Sequence, residues 1–123
     1  MGTRTVDRTQ TREDVSMPLV VRDGLEVRCL AAARLAFAVS GELDICTCPA
    51  LDDLLEQAGH GDAQYIEFDF SEVSLMDSTA ASLLWLHHRR MLAGGGRLVI
   101  WGARTQIRRV LHILDMDSLL APL

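Results

Sequence analysis

Asp77, Ser78 and Thr79 set one carboxylate beside two hydroxyls within the run Leu75-Met76-Asp77-Ser78-Thr79-Ala80-Ala81-Ser82. The run stands where a loop leaves an extended segment and enters an amphipathic helix. Two chemistries fit a serine at such a place. One is structural: a Ser at a helix start accepts a hydrogen bond from a first-turn N–H that has no carbonyl partner within the helix. The other is covalent modification. A phosphate on Ser78 adds a charge of about −1.5 to −2, and the free N–H groups and positive dipole end of the helix stabilise it. Beside Asp77 the same charge repels an acidic partner and costs desolvation in a tight interface. A switch of this kind turns one face from dockable to repulsive without refolding the domain.

Catalysis by the same serine is disfavoured, and no catalytic residue is assigned. His87 and His88 lie about 13–15 Å along the same helix at 1.5 Å per residue, and a nucleophile needs its base within hydrogen-bond reach. There is no Gly-x-Ser-x-Gly elbow, and Gly94-Gly95-Gly96 precedes a strand, so it cannot cradle a phosphate at a helix start. His88 sits on the inner stripe of its helix and reads as a packed or hydrogen-bonded core histidine. Cys46-Thr47-Cys48 resembles half of a metal site, but Cys29 in a strand and the isolated His60 do not complete it. No metal ligand is expected. An odd count of three cysteines suits reduced thiols, with redox sensing by Cys46 and Cys48 as the alternative.

The elements that position these groups follow from periodicity. Residues 1–16 have no hydrophobic period and read as a flexible tail; residues 17–123 form one domain. Leu19-Val20-Val21 is a short extended piece, Asp23-Gly24 a turn, and Leu25, Val27 and Cys29 alternate with charges as in a half-buried strand. Residues 35–39 form a second strand. Pro49 suits the first helical position, Leu51, Leu54, Leu55 and Ala58 repeat at helical spacing, and Gly59 ends the run. The strand 65–70 leads into a loop, Ser71 to Met76. The next helix runs from about Ser78 to Ala93, with Ala81, Leu84, Trp85, His88, Met91 and Leu92 on the core side. Leu83 and Leu86 fall elsewhere, in line with Thr79 and Arg90, and are candidates for a partner-binding patch. Strand 97–101 follows, then a helix capped by Thr105 with Ile107, Val110, Leu111 and Leu114 inward and Arg104, Arg108, Arg109 and His112 outward. The segment from Ser118 to Leu123 is expected to pack back as a short strand or coil. The order ββαβαβα predicts an α/β fold, a mixed sheet of four to five strands covered by three to four helices.

Composition limits the partners. The 123 residues suffice for one domain, and 49% apolar residues supply its core. Seventeen acids against twelve bases give a net charge of −5, a poor footprint for nucleic acid. No signal peptide or span of about 20 apolar residues is evident, so a cytoplasmic protein without membrane contact is expected.

The order and spacing of several motifs give a closer reading. Gly41-Glu42-Leu43-Asp44 is followed by Thr47 and Pro49, then by Phe68-Asp69-Phe70-Ser71 before Val73. Met76-Asp77-Ser78-Thr79, the Gly-Gly-Arg-Leu-Val segment at 95–99 and the helix from Gln106 to Leu114 complete the series. Over residues 18–121 the chain resembles the STAS domain, specifically the bacterial anti-sigma factor antagonists. The resemblance implies that Ser78, with Thr79 as second choice, is phosphorylated by a serine-kinase anti-sigma factor, with Asp44 and Asp77 around the phosphosite. It implies that the unphosphorylated form binds that kinase and releases a sigma factor, and that a PP2C-type phosphatase resets the switch in a stress response. ATP and metal then belong to the partners, and the chain itself carries no cofactor. A monomer or weak homodimer is expected. The family usually continues Asp-Ser-Ser/Thr-Gly-Leu-Gly; here Ala80-Ala81-Ser82 adds methyl groups where a partner loop approaches and strengthens the helix by about 0.5–1 kcal/mol per site. The alternative reading is a non-switching STAS interaction module, a stressosome scaffold or an accessory subunit of an ABC transporter for lipid.

Overall fold

The computed structural model describes residues 18–31, 35–59 and 65–122. The expected tail 1–16 and His60 lie outside the described residues. Five strands form one sheet in the order β1-β2-β3-β4-β5: β1 Pro18–Arg22, β2 Leu25–Ala31, β3 Ala36–Leu43, β4 Tyr65–Met76 and β5 Arg97–Trp101. The first two pairings are antiparallel and the last two parallel. The mixed α/β architecture expected from the sequence is therefore the observed one.

Asp23 and Gly24 both take positive φ, +53° and +84°. They close the β1–β2 hairpin as a two-residue type I′ turn, whose twist matches that of the strands. Helix α1, Cys48–Gly59, crosses from β3 to β4, and α2, Ser78–Ala93, crosses from β4 to β5. Helix α3, Thr105–Ile113, leads to a 3₁₀ turn, Asp117–Leu119. Beyond it Leu120 bridges in parallel to Ile100 on β5. No helix among the described residues is long and apolar enough to cross a membrane.

Burial alternates along β4 from Tyr65 to Phe70, as a sheet with one covered face requires, whereas Leu98, Val99 and Ile100 of β5 are all buried. Val27, Phe37, Ile66, Phe68, Phe70, Leu98 and Ile100 point into a core shared with Leu51 and Leu55 of α1, Leu84 of α2 and Ile107 and Leu111 of α3. Tyr65 and Trp101 emerge on the strands' exposed side.

Four expectations change. Strand β4 does not stop at Phe70; residues 71–76, read as a loop, continue the strand because Ser40 to Leu43 offer a parallel partner from Glu72 to Met76. Two register shifts, each with one extra residue on β4, opposite Ala38/Ser40 and opposite Gly41/Glu42, absorb the polar residues. Helix α3 begins without a side-chain cap: Arg104 occupies the N-cap position and Thr105 is already helical. On α2 the buried set is Ala80, Ala81, Leu84, His87 and His88, so Leu92, expected inward, is exposed at the last turn. Finally, Leu83 is half-buried and packs against the core, because the covered stripe is wider than the predicted one.

Candidate functional site

The corner where β3 and β4 both end gathers the residues singled out by type. Leu43 and Met76 are register partners at the last rung of the parallel pair. The Asp77 amide donates to Leu43 O (3.0 Å). One residue later the chain turns into α2. Asp77, not Ser78, is the N-cap: its backbone is extended, and its Oδ1 accepts the Ala80 amide at 2.9 Å. Its other oxygen, Oδ2, accepts the Ile45 amide at 3.1 Å. A single carboxylate thus caps α2 and ties down the β3–α1 loop.

Asp44 and Thr47 build that loop. The Asp44 carboxylate accepts the amides of Cys46 (2.9 Å) and Thr47 (3.1 Å). The Thr47 hydroxyl, almost fully buried, accepts the Asp44 amide (3.0 Å) and donates to Glu42 O (2.9 Å). Asp44 is flanked by Leu43 and Ile45, both hydrogen-bonded to Asp77, so the two predicted acids come together through the backbone. Because Asp77 supplies the cap, the Ser78 hydroxyl is released from the capping role that its position suggests. Ser78 and Thr79 are both exposed, in the turn whose leading N–H groups lack intrahelical acceptors.

Of the other predicted contact residues, Leu86 is exposed and Leu83 half-buried. Arg90 donates to Glu56 Oε2 at 2.9 Å. Sequence reasoning missed Ile45, 68% exposed directly beside the N-cap carboxylate. Its signal is an isolated apolar residue in an otherwise polar loop, which carries no period. Burial first, then the carboxylates of Asp77, Asp44 and Asp52, push the Cys48 thiol above its ordinary value. The thiolate form of Cys48 is thereby disfavoured.

The histidines are engaged elsewhere. His87 Nε2 lies 2.8 Å from Asp52 Oδ1. His88 accepts the Leu98 amide on Nδ1 at 3.1 Å, the core role predicted for it. Burial, then the Arg97 charge, lowers the His88 pKa below 6.5. The unfolded chain therefore takes up this proton more readily, so the associated stability is present above pH 6.5 and is lost as pH falls. Chemical denaturation at about pH 7.5 and about pH 5.5 should show the midpoint falling on acidification, with a smaller fall in His88→Gln. An equal fall in both proteins removes His88 as the cause.

The comparisons bear on this arrangement. The family model described as "Mlab, STAS domain" matches residues 30–121, about three quarters of the chain. The anti-sigma factor antagonist from Mycobacterium paratuberculosis is similar in structure, with a TM-score of 0.64 at 22% identity, covering 87% of this chain and 86% of that one. The anti-sigma factor antagonist SpoIIAA in its unphosphorylated form gives a TM-score of 0.60 at 19% identity over 79% of this chain and 85% of that one. The Bacillus cell fate determinant SpoIIAA in the phosphorylated form gives 0.61 at 20% identity over 79% and 88%. No curated protein matches the chain by sequence.

Proposed function

The chain belongs to the STAS domain family, and from that premise we propose that it is an anti-sigma factor antagonist switched at Ser78. Unphosphorylated, it docks on a serine-kinase anti-sigma factor and frees a sigma factor. Phosphorylated at Ser78 by that kinase, it lets go, and a PP2C-type phosphatase restores it. The chain acts as a binding protein and a kinase substrate rather than as an enzyme.

One observation carries this reading: Ser78 is exposed at the first residue of α2 and the capping bond is made by Asp77 instead. A kinase can reach the hydroxyl without breaking the helix start. The incoming phosphate meets unpaired N–H groups, which hold it, and stands next to Asp77 and Asp44, which concentrate negative charge at the corner. Thr79, Leu86 and Arg90 along α2, together with Ile45 from the loop, supply the docking face, and the half-buried Leu83 adds its edge. An exposed apolar pair beside a chargeable hydroxyl suits a contact that is dry in one state and repelled in the other.

Ser78→Ala should retain the anti-sigma factor captured from the native lysate, and Ser78→Glu should bind it at least about tenfold more weakly. Mass spectrometry of the native protein with and without stress should find the phosphate on Ser78. Equal affinity of the two variants for the same partner ends the switch at this position.

The second reading is a non-switching STAS module that is an accessory subunit of an ABC transporter for lipid; the STAS-domain match is common to both readings. Co-purification with a membrane ATPase, unaffected by Ser78→Glu, would select it.

A further inference from the structure

Away from the Ser78 corner, α1 and α2 bring together three side chains of metal-ligand type. Asp52 and Glu56 stand four residues apart on α1, so their carboxylates share one face. His87 on α2 meets them, with Nε2 2.8 Å from Asp52 Oδ1 and 3.8 Å from Glu56 Oε2. One donor atom from each of the three lies within 4.8 Å of the others. We infer that this cluster binds one divalent ion of the zinc class through one imidazole and two carboxylates, with water completing the shell.

The distances fit such an ion. Zinc holds nitrogen and oxygen at about 2.0–2.2 Å, which sets the ligand atoms of a tetrahedron roughly 3.3–3.6 Å apart. The two His87 distances fall on either side of that edge, so small movements of the carboxylates open the site. Those movements are available. His87 is 6% exposed and held by its packing, whereas the Asp52 and Glu56 side chains are 45% and 40% exposed. One ligand is rigid, two adjust, and solvent reaches the fourth position. The mixed imidazole and carboxylate set suits zinc and its neighbours; calcium and magnesium prefer oxygen alone.

An ion on Nε2 needs the lone pair of the neutral imidazole, so the ring proton sits on Nδ1 in the bound form and the His87–Asp52 hydrogen bond is exchanged for two metal–ligand bonds. Arg90, 2.9 Å from Glu56 Oε2, is one charge that an arriving cation must displace or tolerate. Removing it therefore strengthens ion binding, an outcome that a purely structural ion pair would not produce. The site does not depend on the Ser78 switch, although it clamps the helix that begins at Ser78 to α1.

The test uses the full chain carrying Cys46→Ser and Cys48→Ser, because these thiols bind zinc themselves. Titration with zinc chloride in a calorimeter should show one ion per chain. Cobalt should give visible d–d absorption without a thiolate charge-transfer band. Asp52→Asn should weaken binding at least about tenfold, and Arg90→Ala should tighten it. Asp52 is half exposed, so that variant is a test that keeps the fold, checked by circular dichroism; His87→Gln adds a second where it folds. No binding overturns the site. Equal binding to Asp52→Asn also overturns it and means an adventitious ion only.

Discussion

Gly41→Ala lowers the unfolding free energy by about 3 kcal/mol or more, a larger single-methyl effect than at Gly24, Gly94 or Gly102. Gly41 sits in β3 at φ +112°, in the region that L side chains rarely adopt. A Cβ there would lie 2.2 Å from the carbonyl oxygen of Gly24 and 3.2 Å from Leu25 Cα. Both obstacles are backbone, so no side chain can swing aside. The type I′ hairpin would have to move off β3, or β3 would have to give up its register shift at Gly41/Glu42. That shift directs Leu43 and Asp44 to the functional corner, so the damage extends to the site. Gly24→Ala is the control: its φ of +84° strains any side chain, but nothing lies within 4 Å of the added carbon. It should cost about 1–2 kcal/mol, the conformational term alone. Urea denaturation of the two variants separates the terms. Equal losses would show that contact with the hairpin carries none of the cost.

The same corner shows which features are legible in a sequence and which are not. The helices announced themselves because Leu51, Leu54 and Leu55 in α1, and Ala81, Leu84 and His88 in α2, recur at helical spacing, and the first half of β4 because Ile66, Phe68 and Phe70 alternate with polar residues. Ser71, Glu72 and Ser74 hid the rest of β4. They are polar, and only the parallel partner segment 40–43, some thirty residues earlier, makes them a strand. The site was legible to within one residue. Asp77 and Ser78 are both good N-caps by type, and propensity cannot choose between neighbours. The Leu43 carbonyl chooses, by taking the Asp77 amide and fixing the extended residue one place before Ser78. The cluster of Asp52, Glu56 and His87 escaped for a related reason. Its spacing of 35 residues between Asp52 and His87 resembles no local ligand motif, and the packing of α1 on α2 alone creates it.

Asp77→Ala is expected to destabilise the protein by about 2–4 kcal/mol, through two losses at once. Removing Oδ1 leaves the Ala80 amide without its cap, typically about 1 kcal/mol and at most about 2. Removing Oδ2 leaves the Ile45 amide without a charged acceptor, about 1.5–3 kcal/mol for a bond of that class and less here because the site is exposed. Asp77→Asn divides the two. Its carbonyl oxygen still accepts from Ala80, but its NH2 group then faces the Ile45 N–H, donor against donor, so the helix cap survives while the loop tether breaks. Thermal or urea denaturation should place Asn between wild type and Ala. Hydrogen exchange should show the Ile45 amide deprotected in both variants and the Ala80 amide only in Ala. The docking reading adds a consequence that stability alone does not. If Ile45 is part of the binding face, Asp77→Asn weakens partner capture while α2 stays intact, even though it removes a negative charge that would otherwise oppose an acidic partner. Loss of the tether and loss of repulsion thus act in opposite directions on affinity. A decrease assigns the larger role to the fixed position of Ile45; an increase assigns it to charge and removes Ile45 from the docking face.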